Sequence, residues 1–399
     1  MTNEPQSSTA AKAREERKPV VLQVVPELDV PGGTERSTVE IAQALSAAGW
    51  GSLVASAGGA MLRQIETAGA RHVQLPLKGK NPIQIRKNTG RLVELIEAES
   101  VDIIHARSRA PAWSAWHAAQ KTGCHFVTTF HGAYGTSGAL KRRYNAIMTK
   151  GELVIANSQF TANHIVHTYP MDQKNLRVIC RGVDVSVYTP GAVTQARVIQ
   201  LAGQWRLPDG KSVIMLPGRL TAWKGHKVLL EALTHLQRDD YVVVFVGDEQ
   251  GRHEYRKQLE RQVEQNGLSH IVRFAGPCRD MPAAYMSADV VVSASTKPEA
   301  FGRVIVEAQA MGRPVVAFDH GGAKETILGG ETGLLVEPGN VVALAQALEA
   351  ALDLTAERRK RMAEVAIRHI AENFTLDKMC ASTLAVYEEV LAAKAPGKR

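Results

Sequence analysis

The stretch DVVVSASTKPEAFGRVIVEAQAMGRPVVAFDHGG, residues 289–322, decides the fold class. DVVVSAS is a short β-branched run and reads as a buried strand. The apolar spacing that follows predicts a helix starting near Val304, with Gly312 at its C-terminal end and Pro314 stopping it. RPVVAFD is a second strand. Strand, helix and strand in direct succession form the βαβ unit of a parallel sheet. The loop after the first strand carries Glu299. Glu307 follows in or near the helix's first turn, with seven residues between the two carboxylates, Phe301-Gly302-Arg303 among them.

The same alternation extends in both directions. Upstream, VVLQVV (20–25) precedes the amphipathic STVEIAQALSAAG (37–49), and SLVAS, HVQLPL, VDIIHA, HFVTTF and ELVIANS follow. The pattern lapses near residue 185, where VDVSVYTPGAVTQARVIQLAGQW reads as a connection. It restarts with SVIMLPGR, YVVVFVGD, IVRFAG, DVVVSAS, RPVVAFD and GLLVEP. A chain of 399 residues is too long for one ordinary core. The expectation is therefore α/β: two doubly wound, Rossmann-like domains facing each other across a cleft, over 19–190 and 191–375. A disordered polar tail is expected over 1–18, and a strongly periodic helix over 376–399. In such sheets ligands bind beyond the carboxyl ends of the strands, so each loop just after a strand is a candidate.

Composition removes several function classes. No stretch approaches the roughly 20 apolar residues of a membrane span, and the amino terminus lacks a signal peptide's apolar centre. The four cysteines, Cys124, Cys180, Cys278 and Cys380, show no metal or disulfide spacing and fit a reducing cytoplasm. There is no DxD triplet, no G-x-G-x-x-G after the first strand and no P-loop. The net charge of +8 is concentrated in the first half. No acid occurs between Glu66 and Glu94, an interval holding Arg71, Lys78, Lys80, Arg86, Lys87 and Arg91. None occurs between Asp102 and Glu152, which enclose Arg107, Arg109, Lys121, Lys141, Arg142, Arg143 and Lys150. Two such intervals in one half favour an anionic partner over a merely solvated face. An anionic membrane surface or a phosphorylated acceptor fits; nucleic acid would fit the charge, but no binding motif accompanies it.

An early-turn glutamate complements the helix dipole by about 0.3–1 kcal/mol, which is reason enough for Glu307 alone. It does not account for Glu299, nor for Gly302 at the helix mouth, where backbone N–H groups can approach a ligand. The dipole alone is too weak to hold a diphosphate. Arg219 follows the strand SVIMLPG, and Lys224 comes five residues later. Two charge-assisted bonds of about 1.5–3 kcal/mol each would grip such a group.

With these residues the chain resembles the retaining, nucleotide-sugar-dependent glycosyltransferases of family 4, which have the GT-B fold. The carriers are Glu299 to Glu307 as an E-x7-E motif, the Arg219/Lys224 pair in GRLTAWKG, and PGGTE (31–35). HGAYG (131–135), RGVD (181–184) and GRPVVAFDHGGAKE (312–325) add to them. One departure is Ala300, where many members have Gly; Ala is tolerated if φ is negative there. The resemblance implies that Arg219 and Lys224 neutralise the donor diphosphate and that Glu299 binds sugar hydroxyls. It implies that backbone amides around Phe301 and Gly302 meet sugar and phosphate, and that Glu307 takes the ribose. The base is expected near Gly276. Gly32 and Gly33 form the opposing lip, and His131 reaches the donor sugar. The closing helix crosses back to the first domain.

The reaction this implies is sugar transfer from a nucleoside-diphosphate sugar by a hexosyl-type transferase, with no metal or other cofactor. A softer similarity, to bacterial lipopolysaccharide-core transferases, implies a lipid-linked or core-saccharide acceptor and peripheral attachment to the cytoplasmic membrane's inner face. Arg86, Lys87, Lys141, Arg142 and Arg143 would be its acceptor and membrane patch, with no nucleic-acid partner. A sucrose- or glycogen-type synthase, a nucleotide-sugar epimerase, or a non-catalytic nucleotide-sugar or nucleic-acid binding protein are the alternatives.

Overall fold

The structure, a computed structural model, describes residues 17–29, 32–135 and 138–393. Most of the tail expected over 1–18, and Pro31 of the PGGTE stretch, lie outside the described residues. The chain separates into two compact units. One comprises 17–157, 161–179 and the segment from Cys380 onward; the other comprises 180–379 with 158–160.

Each unit is built on one parallel sheet. The first contains β1 (Val20–Val24), β2 (Gly51–Ser56), β3 (Arg71–Gln74), β4 (Ile103–Ala106), β5 (His125–Phe130), β6 (Leu153–Ala156) and β7 (Leu176–Val178). Their spatial order is β3-β2-β1-β4-β5-β6-β7. The second contains β8 (Ser212–Pro217), β9 (Tyr241–Val246), β10 (Val272–Gly276), β11 (Val290–Ser293), β12 (Val315–Phe318) and β13 (Gly333–Val336). Their order is β10-β9-β8-β11-β12-β13. Central strands such as β9 and β11 are buried at every residue, because helices cover both faces of a parallel sheet. That is why they read as unbroken Val-rich runs rather than alternating ones.

The direction of winding reverses between β1 and β4 in the first sheet and between β8 and β11 in the second. At those points Val21 sits opposite Ile103, and Ile214 opposite Val290. Loops leaving the two strands of a reversal diverge and open a crevice at their carboxyl ends.

Two local readings change. The segment read as a connection contains a helix, Gln195–Trp205, whose Leu201 and Trp205 are buried in the core of the second unit. The passage between units falls at Ile179–Cys180, ahead of residue 190. Strand β7 escaped the sequence reading because it has only three residues, none of them buried, at the sheet's edge.

The closing helix, Leu376–Ala392, begins in the second unit and from Cys380 belongs to the first. There the hydroxyl of Tyr387, wholly buried, lies 2.6 Å from Nδ1 of His105 on β4, and Arg177 pairs with Glu389. Val183 and Thr375 bridge where the chain enters and leaves the second unit.

Candidate active site

In the second unit, β8 and β11 flank the reversal, and their loops carry Arg219, Lys224 and Glu299. Backbone geometry holds these loops together. The amide of Thr296 donates to the Trp223 carbonyl at 2.7 Å. Gly225 has φ +81°, and a Cβ there would lie 1.8 Å from the Ala294 carbonyl oxygen, so only glycine lets the β8 loop rest on the end of β11. From the third loop, after β12, the Gly322 amide donates to the Glu299 carbonyl at 2.8 Å.

Side chains complete the junction. Lys224 Nζ donates to Oε1 of Glu299 at 2.7 Å, and the Ser295 hydroxyl donates to the same oxygen at 2.5 Å. Oε2 accepts no hydrogen bond from the described residues. Nε2 of His320 lies 2.8 Å from the Ser295 carbonyl; a carbonyl only accepts, so Nε2 carries the proton of that bond. Burial pushes the Glu299 carboxyl up, but Lys224, the Ser295 hydroxyl and His320 outweigh it, and the net shift is downward. Glu299 is thus an ionised acceptor with one oxygen fixed and the other available.

Arg219 is exposed, and its hydrogen bond among the described residues is a long one, 3.5 Å to Gln250 Oε1. Its guanidinium is therefore available for an anion. Lys224 is not equally available, since one of its three N–H groups is committed to Glu299. His226, immediately behind it, is wholly buried against Phe245 and Tyr255, and burial followed by the Lys224 charge brings its imidazole down to about 4.

The helix after the Glu299 loop runs Arg303–Ala310, and Gly302 caps it at φ +90°, a left-handed conformation suited to glycine. Ala300 has no such requirement, because its φ is not positive. The ring of Phe301 is buried edge-on against Phe374 at 5.7 Å, so its side chain belongs to the core. Glu307 is not in the first turn: it is the fifth helical residue and 4% exposed. Its Oε2 accepts from the Tyr285 hydroxyl at 2.8 Å, and Arg303 Nε stands 3.6 Å from Oε1. Its environment is a buried polar pocket, so the dipole account no longer applies. Gly276 ends β10 at φ +71°, and its carbonyl accepts from the Gly247 amide at 2.8 Å.

The first unit holds the remaining predicted residues. Gly32 caps the helix Gly33–Ala47 after β1, and His131 is the first residue after β5. Arg86 and Lys87 lie on the helix Pro82–Ala98, and Lys141, Arg142 and Arg143 on the helix Ala139–Asn145. Two cations of the acid-free intervals leave the surface account. Arg107 is 2% exposed and donates to the Ser37 carbonyl at 2.5 Å, while Arg109 stacks on Tyr134 at 4.3 Å and donates to Asn145.

Ser295, His320 and Tyr285 were missed by sequence reasoning. Ser295 and His320 have a usable signal, since each falls just past the end of a strand flanking the Glu299 loop. Tyr285 sits on a separate short helix, Met281–Met286, and only the fold reveals its bond to Glu307.

Comparison with known proteins bears on this arrangement. Residues 199–369 match the family model of glycosyl transferases group 1, and residues 31–187 that of glycosyltransferase family 4. A D-inositol 3-phosphate glycosyltransferase of Jonesia denitrificans is 31% identical over 310 residues, covering 73% of this chain and 72% of that one. The chain belongs to the GT-B glycosyltransferases of family 4. This glycosyltransferase is also similar to a glycosyltransferase structure from Rickettsia africae, at 36% identity and a TM-score of 0.88 over 94% of this chain and all of that one. The Anabaena HepE protein, solved with UDP and glucose, gives 25% identity and a TM-score of 0.81 over 92% and 99% of the two chains. As a glycosyltransferase the chain is an enzyme of class EC 2.4.

Proposed function

We propose that this enzyme moves a sugar from a nucleoside-diphosphate sugar to a phosphorylated, lipid-linked saccharide, retaining the anomeric configuration and using no metal. The observation that carries the reading is the Glu299 carboxylate at the β8/β11 reversal, with Oε1 fixed by Lys224 and Ser295 and Oε2 open. An acceptor-only oxygen held in this way suits a sugar hydroxyl. The exposed Arg219, the remaining N–H groups of Lys224 and the amides at the Phe301–Gly302 helix mouth would meet the diphosphate. Glu307, held by Tyr285, would take the ribose; the base would lie by Gly276. Gly32, Gly33 and His131 are assigned to the donor from the first unit.

Chemically, the anomeric C–O bond to phosphate lengthens into an oxocarbenium-like state, and negative charge grows on the leaving diphosphate. Arg219, Lys224 and the helix mouth stabilise that charge. The acceptor hydroxyl attacks from the face the diphosphate leaves, and the departing phosphate oxygen takes its proton. In this scheme Glu299 positions the sugar and is not the nucleophile.

The relatives narrow the substrates to be tried. The UDP and glucose of the Anabaena complex make UDP-glucose the first donor to test. The relative named for an inositol phosphate favours a phosphorylated acceptor, and none of these relatives supports a lipopolysaccharide core as acceptor. Arg86, Lys87, Lys141, Arg142 and Arg143 favour work at the anionic inner face of the cytoplasmic membrane, where each nearby cation contributes about 1 kcal/mol. The test is a thermal-shift screen of nucleotide sugars, then release of nucleoside diphosphate with phosphorylated acceptors in the presence of a chelator. Stabilisation by one donor and chelator-resistant turnover are expected. Conversion of the donor without any acceptor would instead mark an epimerase, and chelator-sensitive turnover would remove the metal-independent scheme.

A further inference from the structure

A groove on the outside of the first unit is not used by the chemistry above. It encloses about 530 Å³ between the helices Pro82–Ala98, Arg109–Thr122 and Ala139–Asn145. Its apolar lining includes Ile85, Trp113 and Tyr144, and its charged lining is Lys80, Arg86 and Lys121, with no acid among the lining residues. Trp113 and Tyr144 make a rigid wall: their rings stack with centroids 6.2 Å apart, and the indole N–H donates to the Tyr144 carbonyl at 3.3 Å.

Two further observations concern its rim. Among the described residues the large apolar side chains most exposed are Leu140, at 85%, and Ile83, at 67%. Both stand beside this groove. Leu140 is one helical turn before Tyr144 on the same face, and Ile83 is one turn before Arg86 and Lys87. Arg143 follows Leu140 at the same kind of spacing. Each exposed apolar side chain is thus accompanied by cations on its own helix face.

We propose that this groove seats one acyl chain of an anionic membrane phospholipid. The chain lies against Ile85, Trp113 and Tyr144, and Leu140 and Ile83 enter the bilayer beside it. Lys80, Arg86 and Lys121 meet the phosphate. A soluble phosphosaccharide or a nucleic acid would satisfy the cations but would leave Leu140 and Ile83 in water, which is why a lipid is favoured. The inference rests on the membrane reading of the preceding section and adds to it a defined seat for a lipid tail.

The experiment uses the full chain and phosphatidylglycerol vesicles with acyl chains either brominated or not. Bromine quenches indole fluorescence only at close range, so it reports a chain against Trp113. Co-sedimentation with both vesicle types is expected, with quenching by the brominated ones that is lost in W113F while sedimentation persists. I83S and L140S should each weaken partition by about 10-fold or more, from the aliphatic burial forgone, with circular dichroism unchanged. Sedimentation without Trp113-dependent quenching overturns the chain seat and leaves peripheral attachment standing. Absence of sedimentation overturns both, while the transfer assay still decides the chemistry. A change in Trp113 fluorescence with a phosphorylated oligosaccharide or an oligonucleotide, and none with vesicles, overturns the lipid in favour of that ligand.

Discussion

The two units share a way of winding a sheet and differ in what stands at its carboxyl edge. In the second unit the loops after β8, β11 and β12 are tied into one junction by Lys224, Glu299, Ser295 and His320, and by the backbone bonds beneath them. In the first unit the cations nearest the edge are absorbed internally: Arg107 is buried under the helix Gly33–Ala47 and Arg109 stacks on Tyr134. Arg86, Lys87, Lys141, Arg142 and Arg143 lie on the helices Pro82–Ala98 and Ala139–Asn145, and others, such as Lys78, Lys80 and Lys150, lie in loops. Topology therefore supplies a place for a ligand in both units, and loop chemistry decides whether that place is a fixed polar clamp. In the proposed function the second unit holds one small ligand in one pose, and the first presents charge over a broad face.

That contrast can be broken most sharply at Glu299. Removing the carboxylate's charge in Glu299→Gln, or the cation in Lys224→Ala, should lower turnover by about 100-fold or more, the usual cost of losing a preorganised charge. Steady-state kinetics with a folded variant is the check, and near-full turnover would end the clamp reading. Neutralising Lys141, Arg142 and Arg143 together should weaken anionic-vesicle binding by about 3 kcal/mol at low salt and leave donor binding unchanged. If donor affinity falls in step, the division of labour between the units is wrong. Gly225→Ala forces a Cβ onto the Ala294 carbonyl and should cost about 1–3 kcal/mol of stability, read as a lower Tm.

The smallest effect concerns pH. His226 has its folded-state value lowered from 6.5 to about 4, so the unfolded chain binds its proton first. Its contribution is complete above about pH 6.5 and is lost as the pH falls towards 4, by about 1 kcal/mol at pH 5.5. The Tm of His226→Leu should decline less than that of the parent protein between pH 7.5 and 5.5. Parallel declines would show that folding leaves the proton affinity of this imidazole unchanged.

Much of this was legible in the residues because buried parallel strands leave an unmistakable signature. Among the described residues, twelve of the thirteen strands were readable as apolar, mostly β-branched runs, and Arg219, Lys224 and Glu299 were readable as polar residues placed just after them. The helix Gln195–Trp205 was obscured by the Pro-Gly at 190–191, just ahead of it. The burial of Glu307 was hidden as well: the helix start was read to within one residue, but the side chain that meets the carboxylate, Tyr285, comes from a separate short helix. Ser295 and His320 carry no individual motif; what gives them a role is the neighbourhood of three loop ends, which only the strand order sets.

The closing helix has a consequence for how the protein is made. Tyr387, which reaches His105, lies on a segment separated from the rest of its unit by the whole of 180–379. At roughly 5–20 residues per second, a ribosome needs about 10–40 s to synthesise that insertion. Throughout that interval the first unit waits with an open seam where the helix will dock, while the second can fold without interruption. Chaperone demand during synthesis should therefore be greatest for the half that emerges first.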